Sequence, residues 1–314
     1  MAGSSAAADA KGKSRQEVSV GGRTLSLSNL DKVLWPKSKT AKGEAIDYYA
    51  RVADTLLPHL KGRPLTLVRF PDGVDGFRFY EKRAPKGAPD WVKTARVGFD
   101  RAGEIDFVVC DDKPTLIWLA QLAALELHPS LSKARNMEVP TSMVFDLDPG
   151  PPAAIRECCV VGLRVRELFE QLGLEAFAKS SGSKGLQVYV PLNGRTTYER
   201  TKPFAQAVAQ ALEQAEPDLV VSRMTKKLRV GKVLVDWSQN TRSKTTVSVY
   251  SLRARDLPTI STPVTWDEVE SGAKGKNELR FEAADVLKRI DKHGDLFAPV
   301  LELKQTLPRG KAPG

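Results

Sequence analysis

Cysteine and histidine are both scarce in this chain, with three of each among 314 residues. Cys158 and Cys159 are adjacent and Cys110 stands alone, so neither zinc-ligand spacing nor an even-numbered disulfide framework is present. Adding His59, His128 and His293 does not assemble a credible structural zinc site. A reducing compartment is the expectation. Long apolar runs are lacking as well. The most apolar stretch, residues 116–127, is too short to span a bilayer and contains Gln121 and Glu126. The N-terminal "MAGSSAAADAKGKSR" has no apolar core of a secretory signal. These absences predict a soluble cytoplasmic protein with no membrane partner. A Walker loop, GxxxxGK[ST], is also absent.

What the chain does have is positive charge. Lys plus Arg number 48 against 38 Asp plus Glu, a formal net charge of +10. A basic surface on a protein of this size suits a polyanionic partner, nucleic acid above all. The length accommodates one large α/β unit or two lobes.

Residues 1–16 are small, polar and basic and read as a disordered arm, and residues 308–314 as a flexible tail. Between them, residues 17–307 alternate helical and strand patterns with no long linker. A helix is predicted over 42–57, with Ile46, Tyr49, Ala50, Ala53 and Leu57 on its buried stripe. "PLTLVRFP" and "EIDFVVCDD" read as strands, and "KPTLIWLAQLAALELH" as one buried helix with Pro114 in its first turn. "TSMVFDLDPG" is a strand followed by a helix over 153–172. "AFAKSSGSKGLQVYVPL" is strand, Gly/Ser loop, strand; "YERTKPFAQAVAQALEQAEP" is a helix; "KVLVDWSQN" is a strand. This order predicts an α/β (α+β) fold, a mixed or antiparallel sheet with helices packed on it.

The chemistry begins at "MVFDLDPG". On an extended strand, Asp146 and Asp148 share a face at a Cα separation of about 7 Å, and Pro149 and Gly150 end the strand. Two readings stand: two solvated acids before a turn, or a pair that shares a divalent metal. Asp236, inside the apolar "VLVDW", shifts the balance, because an ionised Asp there is costly unless paired or metal-bound. Three carboxylates on two strands can hold two divalent ions for in-line phosphoryl or nucleotidyl transfer. The loop Ser181-Gly182-Ser183-Lys184-Gly185 lets backbone N–H groups approach phosphate oxygens while Lys184 adds charge. By itself it could equally be an ordinary flexible hairpin.

The combination of "DLDPG", "SGSKGL", "VDW" with "SQN", and "YSLRAR" resembles the polymerase domain of bacterial LigD, in the archaeo-eukaryotic primase superfamily. The resemblance runs from about residue 20 to about 307 and includes "LSNLDKVLWP", "PDGVDGFRFYEKRAP", "APDWV", "LAALELHP" and "STPVTWDE". No ligase or nuclease pattern follows, so the chain is similar to the stand-alone Prim-PolC type.

The resemblance implies roles position by position. Asp146, Asp148 and Asp236 match the metal-binding, catalytic acids, which hold two divalent ions, manganese or magnesium. Ser181, Lys184 and Arg253 match triphosphate-binding positions, and Arg229 and His128 match residues lining the nucleotide pocket. Asn29, Lys32 and Lys42 match a pocket, in the N-terminal part of the domain, for the 5′-phosphate downstream of a DNA gap. Phe79 and Tyr80 match an aromatic pair that stacks on template bases. Two positions depart from the pattern: Gln187 stands where the family hairpin ends in His, and Arg83 where a His is common after "EK". Gln can donate a hydrogen bond but cannot become cationic, which puts nucleotide affinity in question more than the chemistry.

The implied function is template-directed extension of a primer 3′-OH with nucleoside triphosphates, ribonucleotides preferred, across short DNA gaps in repair. Repair proteins such as an end-binding protein or a ligase would act in trans, and the protein would associate with the nucleoid. End joining is the alternative pathway. Two rivals remain at this point: a haloacid-dehalogenase-like phosphatase, which also uses Asp-x-Asp after a strand, and a catalytically weak DNA-end-binding module.

Overall fold

The computed structural model describes residues 15–99 and 103–308. The chain opens with an antiparallel hairpin of β1 (Arg15–Val20) and β2 (Arg23–Ser28), then a small pair, β3 (Val33–Trp35) and β4 (Thr40–Ala41). Strand β1 takes in the last two residues read as a disordered arm; residues 1–14 and 309–314 lie outside the described residues. Helix α1 spans Lys42–Leu60, and Glu44 at its third position accepts a hydrogen bond from the Ala41 N–H at 2.7 Å. Its face of Ala45, Ile46, Tyr49, Val52, Ala53 and Leu56 is buried at helical spacing. The helix runs three residues beyond the expected end. Pro58 removes one N–H, but buried His59 and Leu60 and the Lys61 N–H to Leu57 carbonyl bond hold the last turn.

Next come β5 (Pro64–Arg69), β6 (Phe79–Glu81), β7 (Thr94–Phe99), β8 (Gly103–Val109), α2 (Lys113–Gln121), β9 (Ala124–Pro129), β10 (Ser132–Lys133) and β11 (Asn136–Pro140). Strands β6, β5, β8 and β7 form a sheet in that order, and β9 also pairs with β5. Here the single buried helix expected over "KPTLIWLAQLAALELH" is corrected. Helix α2 stops at Gln121, Ala123 takes a left-handed φ of 55°, and "ALELHP" continues as a strand. Leu and Ala favour helix locally, but pairing with β5 buries Leu125 and Leu127 and overrides that preference.

The second half holds β12 (Ser142–Pro149), α3 (Ile155–Gln171), β13 (Phe177–Ser180), β14 (Leu186–Pro191), α4 (Tyr198–Ala215), β15 (Val220–Val221), β16 (Val233–Asp236), β17 (Pro263–Val264), α5 (Trp266–Ala273), α6 (Ala283–His293) and α7 (Pro299–Glu302). Its six-stranded sheet has the order β15-β16-β12-β14-β13-β17, all antiparallel except β15 with β16. Met143, Phe145 and Leu147 of β12 pack with Cys158, Val161, Val165 and Phe169 of α3. Alternation along β12 therefore leaves Asp146 and Asp148 on the opposite face. A separate core joins α1, β5, α2 and β9 in the first half. The mixed α/β architecture expected from the sequence is the one observed.

Candidate active site

The register of the second sheet sets the acids side by side. Asp146 lies directly across from Asp236, and Asp148 is two residues further on the same strand face. Burial pushes the Asp146 carboxyl up to about 7, the charge of Asp148 adds to this, and a hydrogen bond donated by Gln187 Nε2 at 3.0 Å opposes it. Asp148 moves the same way, through desolvation and then the charge of Asp236, with Arg229 and Arg253 opposing. Asp236 is held by the Ser238 N–H at 2.8 Å and Gln239 Nε2 at 3.2 Å, and Lys244 Nζ lies 4.0 Å from its Oδ2. Among the described residues, no group of three His, Cys, Asp or Glu side chains is gathered closely enough to hold a metal ion. The donor set nevertheless fits one: three carboxylates on one sheet face, oxygen ligands only, destabilised by mutual repulsion that a hard divalent cation would relieve.

Glycine makes the two ends of this cleft possible. A Cβ on Gly150 would lie 1.8 Å from the Arg229 carbonyl oxygen, so only glycine lets the 224–231 loop close over the end of β12. Gly182 has φ +66° and would place a Cβ 2.6 Å from the backbone of Ile260. Within that hairpin, the Ser181 hydroxyl accepts the N–H groups of Ser183 at 3.2 Å and Gly185 at 3.1 Å. Ser181 thus shapes the loop from within, and Lys184 stands exposed at its tip. A hollow of about 400 Å³ lies beside it, lined by Pro149, Ile155, Ser183, Lys184 and Arg280.

Sequence-predicted Arg253 and His128 meet on an acid that sequence reasoning missed. Glu126 Oε2 is 2.9 Å from His128 Nε2, and Glu126 Oε1 is 3.3 Å from Arg253 Nε and accepts the Ala254 N–H at 3.1 Å. Burial would raise Glu126, but the His128 hydrogen bond and the Arg253 charge outweigh it and hold the carboxyl down to about 2. Burial lowers His128 in turn, against the pull of Glu126. The signal was the i, i+2 spacing of Glu126 and His128, legible only once the segment is a strand. Arg255, the second arginine of "YSLRAR", is lowered by burial and by the charges of Arg253 and Arg78, so cations crowd this side of the cleft. Arg229 donates to the Met224 carbonyl at 2.6 Å at the acid end.

Asn29, Lys32 and Lys42 are also brought together. Asn29 has φ +54°, its carbonyl accepts the Lys32 N–H at 3.1 Å, and the Lys32 carbonyl accepts the Lys42 N–H at 2.9 Å. Lys42 Nζ donates to the Ser28 carbonyl at 2.9 Å, and burial followed by the charge of Lys32 pushes its ammonium down to about 8. Lys32 is engaged, with Nζ 2.6 Å from the Pro71 carbonyl and 3.0 Å from Asp72 Oδ1.

Phe79 and Tyr80 point to opposite sides of β6. Tyr80, 63% exposed, turns its ring edge-on to His128 at 6.5 Å. Phe79 points to the other side, beneath the Arg69 guanidinium at 5.0 Å, and stacks on Phe77 at 6.0 Å. Phe77 is 73% exposed and was not singled out from the sequence. An exposed Phe beside Arg78 in "GFRFYEK" was the available signal.

Comparison with known proteins shows the family. The profile of the LigD primase-polymerase domain matches residues 41–297. The chain is 43% identical over 276 residues to the multifunctional non-homologous end joining protein LigD of Mycolicibacterium smegmatis, covering 87% of this chain and 36% of that protein. It is 34% identical over 274 residues to the bifunctional LigD of Bacillus subtilis, covering 87% of this chain and 43% of that one. The polymerase domain of Mycobacterium tuberculosis ligase D, solved in complex with DNA, superposes with a TM-score of 0.82 at 41% identity, over 90% of this chain and 99% of that one. The chain therefore spans well under half the length of these curated relatives. The match overturns the dehalogenase-like alternative. No helix among the described residues is long and apolar enough to cross a membrane. On these matches, the chain belongs to the LigD primase-polymerase domain family of metal-dependent nucleotidyltransferases.

Proposed function

We propose that this protein extends a primer 3′-OH against a DNA template, using nucleoside triphosphates, and fills short gaps that carry a 5′-phosphate during DNA repair. The observation that carries the reading is the placement of Asp146, Asp148 and Asp236 on one sheet face, with Arg229, Arg253 and Arg255 around them. Asp146, Asp148 and Asp236 would hold the divalent ions, manganese or magnesium, which when bound lower the pKa of the attacking hydroxyl and stabilise the departing pyrophosphate. The chain's own residues do the rest. Lys184 and Arg253 neutralise triphosphate charge, Arg229 screens the acid end, and the Glu126–His128–Arg253 network keeps the pocket rigid. Tyr80 offers a ring to the nascent base pair.

Lys32 and Lys42 receive the 5′-phosphate at the first turn of α1, where the helix dipole favours an anion. The Lys42 and Gly43 N–H groups are taken by the Lys32 and Leu30 carbonyls, so the ammonium groups make the contact. Ribonucleotides are the preferred substrates on the family resemblance. Partners are gapped or primed DNA and, in trans, an end-binding protein or a ligase. The test is primer extension with manganese or magnesium on a gapped template, comparing ribo- and deoxyribonucleotides. Release of pyrophosphate together with template-matched products is the expected result; DNA binding without extension would leave an end-binding module. End joining is the second reading, favoured by the names of the relatives, and synthesis across two broken ends rather than within a gap would select it.

A further inference from the structure

Lys179 lies on β13 with no solvent exposure at all. A fully buried lysine is rare and needs a reason. The register supplies its neighbours: Lys179 is the direct cross-strand partner of Gln187 on β14, Gln187 of Asp146 on β12, and Asp146 of Asp236 on β16. Direct partners in antiparallel strands share a sheet face, so Lys179, Gln187, Asp146 and Asp236 form one row leading into the acids.

The contacts along this row are incomplete. Lys179 Nζ donates to Ser261 Oγ at 2.6 Å and lies 5.6 Å from the Tyr189 ring centroid. Gln187, 2% exposed, gives Nε2 to Asp146 Oδ1 at 3.0 Å and to Thr246 Oγ1 at 3.1 Å, while its Oε1 is buried with no hydrogen-bond partner. An unpaired buried amide oxygen is costly, and the adjacent residue with N–H donors to spare is Lys179. Burial drives the Lys179 ammonium well down, the charge of Asp146 opposes this only in part, and the charge of Arg253 adds to it.

We propose that Lys179 is a positioning residue of the nucleotide site. Through Gln187 it orients the amide that holds Asp146, and it supplies the positive charge that a histidine at position 187 would bring, so positions 179 and 187 work as one coupled pair. This rests on the polymerase reading above. On this reading the nucleotide affinity that Gln187 puts in question is not recovered by Gln187→His alone. With Lys179 buried next to it, a cationic ring at 187 would meet a like charge in a low-dielectric setting.

The experiment measures equilibrium binding of a fluorescent nucleoside triphosphate to the full chain on gapped DNA with a dideoxy-terminated primer and manganese, so that no turnover occurs. Lys179→Met, Gln187→His and the double variant are compared with the parent, with melting temperatures recorded. Lys179→Met is expected to weaken binding about ten-fold, the scale of one charged hydrogen bond, and Gln187→His to weaken it as well. Adding Gln187→His to Lys179→Met should restore affinity to within about three-fold of the parent, the sign reversal expected of a coupled pair. A lysine that merely filled space would give no such rescue. If Lys179→Met does not fold, Lys179→Gln replaces it, and the sign of Gln187→His alone still decides. Unchanged affinity in Lys179→Met, tighter binding by Gln187→His in the parent, or independent effects would overturn the inference while leaving the polymerase reading intact. A parent protein that neither binds nucleotide nor extends a primer would overturn both.

Discussion

Asp146 and Asp236 are direct partners across the antiparallel β12–β16 ladder, so two carboxylates face each other where a sheet ordinarily pairs unlike or apolar groups. Such an arrangement is unfavourable until a cation enters. Asp146→Ala or Asp236→Ala is expected to abolish primer extension while leaving gapped-DNA binding nearly unchanged, because a lost carboxylate does not weaken attraction to phosphate. Asp146→Asn should in addition raise the melting temperature in metal-free buffer and remove the stabilisation that manganese gives the parent. Extension within a few-fold of the parent by any of the three would refute the two-metal assignment.

If Lys42 receives the 5′-phosphate as proposed, the preference for 5′-phosphate gaps depends on pH. Its ammonium titrates at about 8 in the empty pocket, whereas a terminal phosphate is already dianionic above about pH 6. Charge complementarity is therefore greatest near pH 7 and falls as pH rises through 8. The ratio of extension on 5′-phosphate gaps to extension on 5′-hydroxyl gaps should decline between pH 7 and 9, and Lys42→Arg should flatten that decline. A ratio that is constant with pH in the parent would return Lys42 to a purely structural role.

The paired change Lys32→Ala/Lys42→Ala should cost about ten-fold or more on 5′-phosphate gaps, at 1.5–3 kcal/mol per well-formed charged contact. Asp72 already occupies Lys32 at 3.0 Å, so Asp72→Asn is expected to strengthen the preference slightly. Extension on an open template with no downstream strand should change far less, since nothing then fills the pocket. Equal losses on both substrates would assign the lysines to general backbone attraction.

The divergence of Tyr80 from Phe77 and Phe79 predicts separable effects. Tyr80, against His128, should act on nucleotide KM when changed to Ala. Phe77 caps a stack whose loop, through Pro71 and Asp72, touches Lys32, so Phe77→Ala should impair gapped substrates more than open templates. Base stacking on an aromatic is worth about 1–3 kcal/mol, which corresponds to roughly five-fold or more. Identical profiles for the two variants would show that they form one surface after all.

Gly150→Ala is expected to be severe for a methyl group, because the new Cβ would sit 1.8 Å from the Arg229 carbonyl. The 224–231 loop must move, taking Arg229 away from Asp148. A loss of extension of about a hundred-fold with a melting drop matching 1–3 kcal/mol of overpacking is the expected outcome. Near-parental kinetics would show that the loop is not needed in this position.

Much of the site was readable along the chain because strand periodicity is a local property. Asp146 and Asp148 share a face on any strand, and Pro149-Gly150 ends it wherever it occurs. The helix at Lys42 and the "SGSKG" loop likewise follow from nearby residues. The segment 113–128 was misread for the opposite reason: helix propensity is also local, and the pairing with β5 that overrides it comes from more than fifty residues upstream.

What the sequence determined by itself is the set of parts: an excess of cations, two acids at i, i+2 spacing on one strand face, and a Gly/Ser loop of small residues. Only the tertiary structure decided how these parts combine. That Asp236 lies opposite Asp146, that Glu126 joins His128 to Arg253, and that Lys179 stands behind Gln187 are consequences of strand order and register. A one-residue slip in any of those pairings would turn each side chain to the other face. Register is fixed by the burial of Met143, Phe145, Leu147 and their neighbours against α3, a balance taken over the whole core rather than any one stretch of chain.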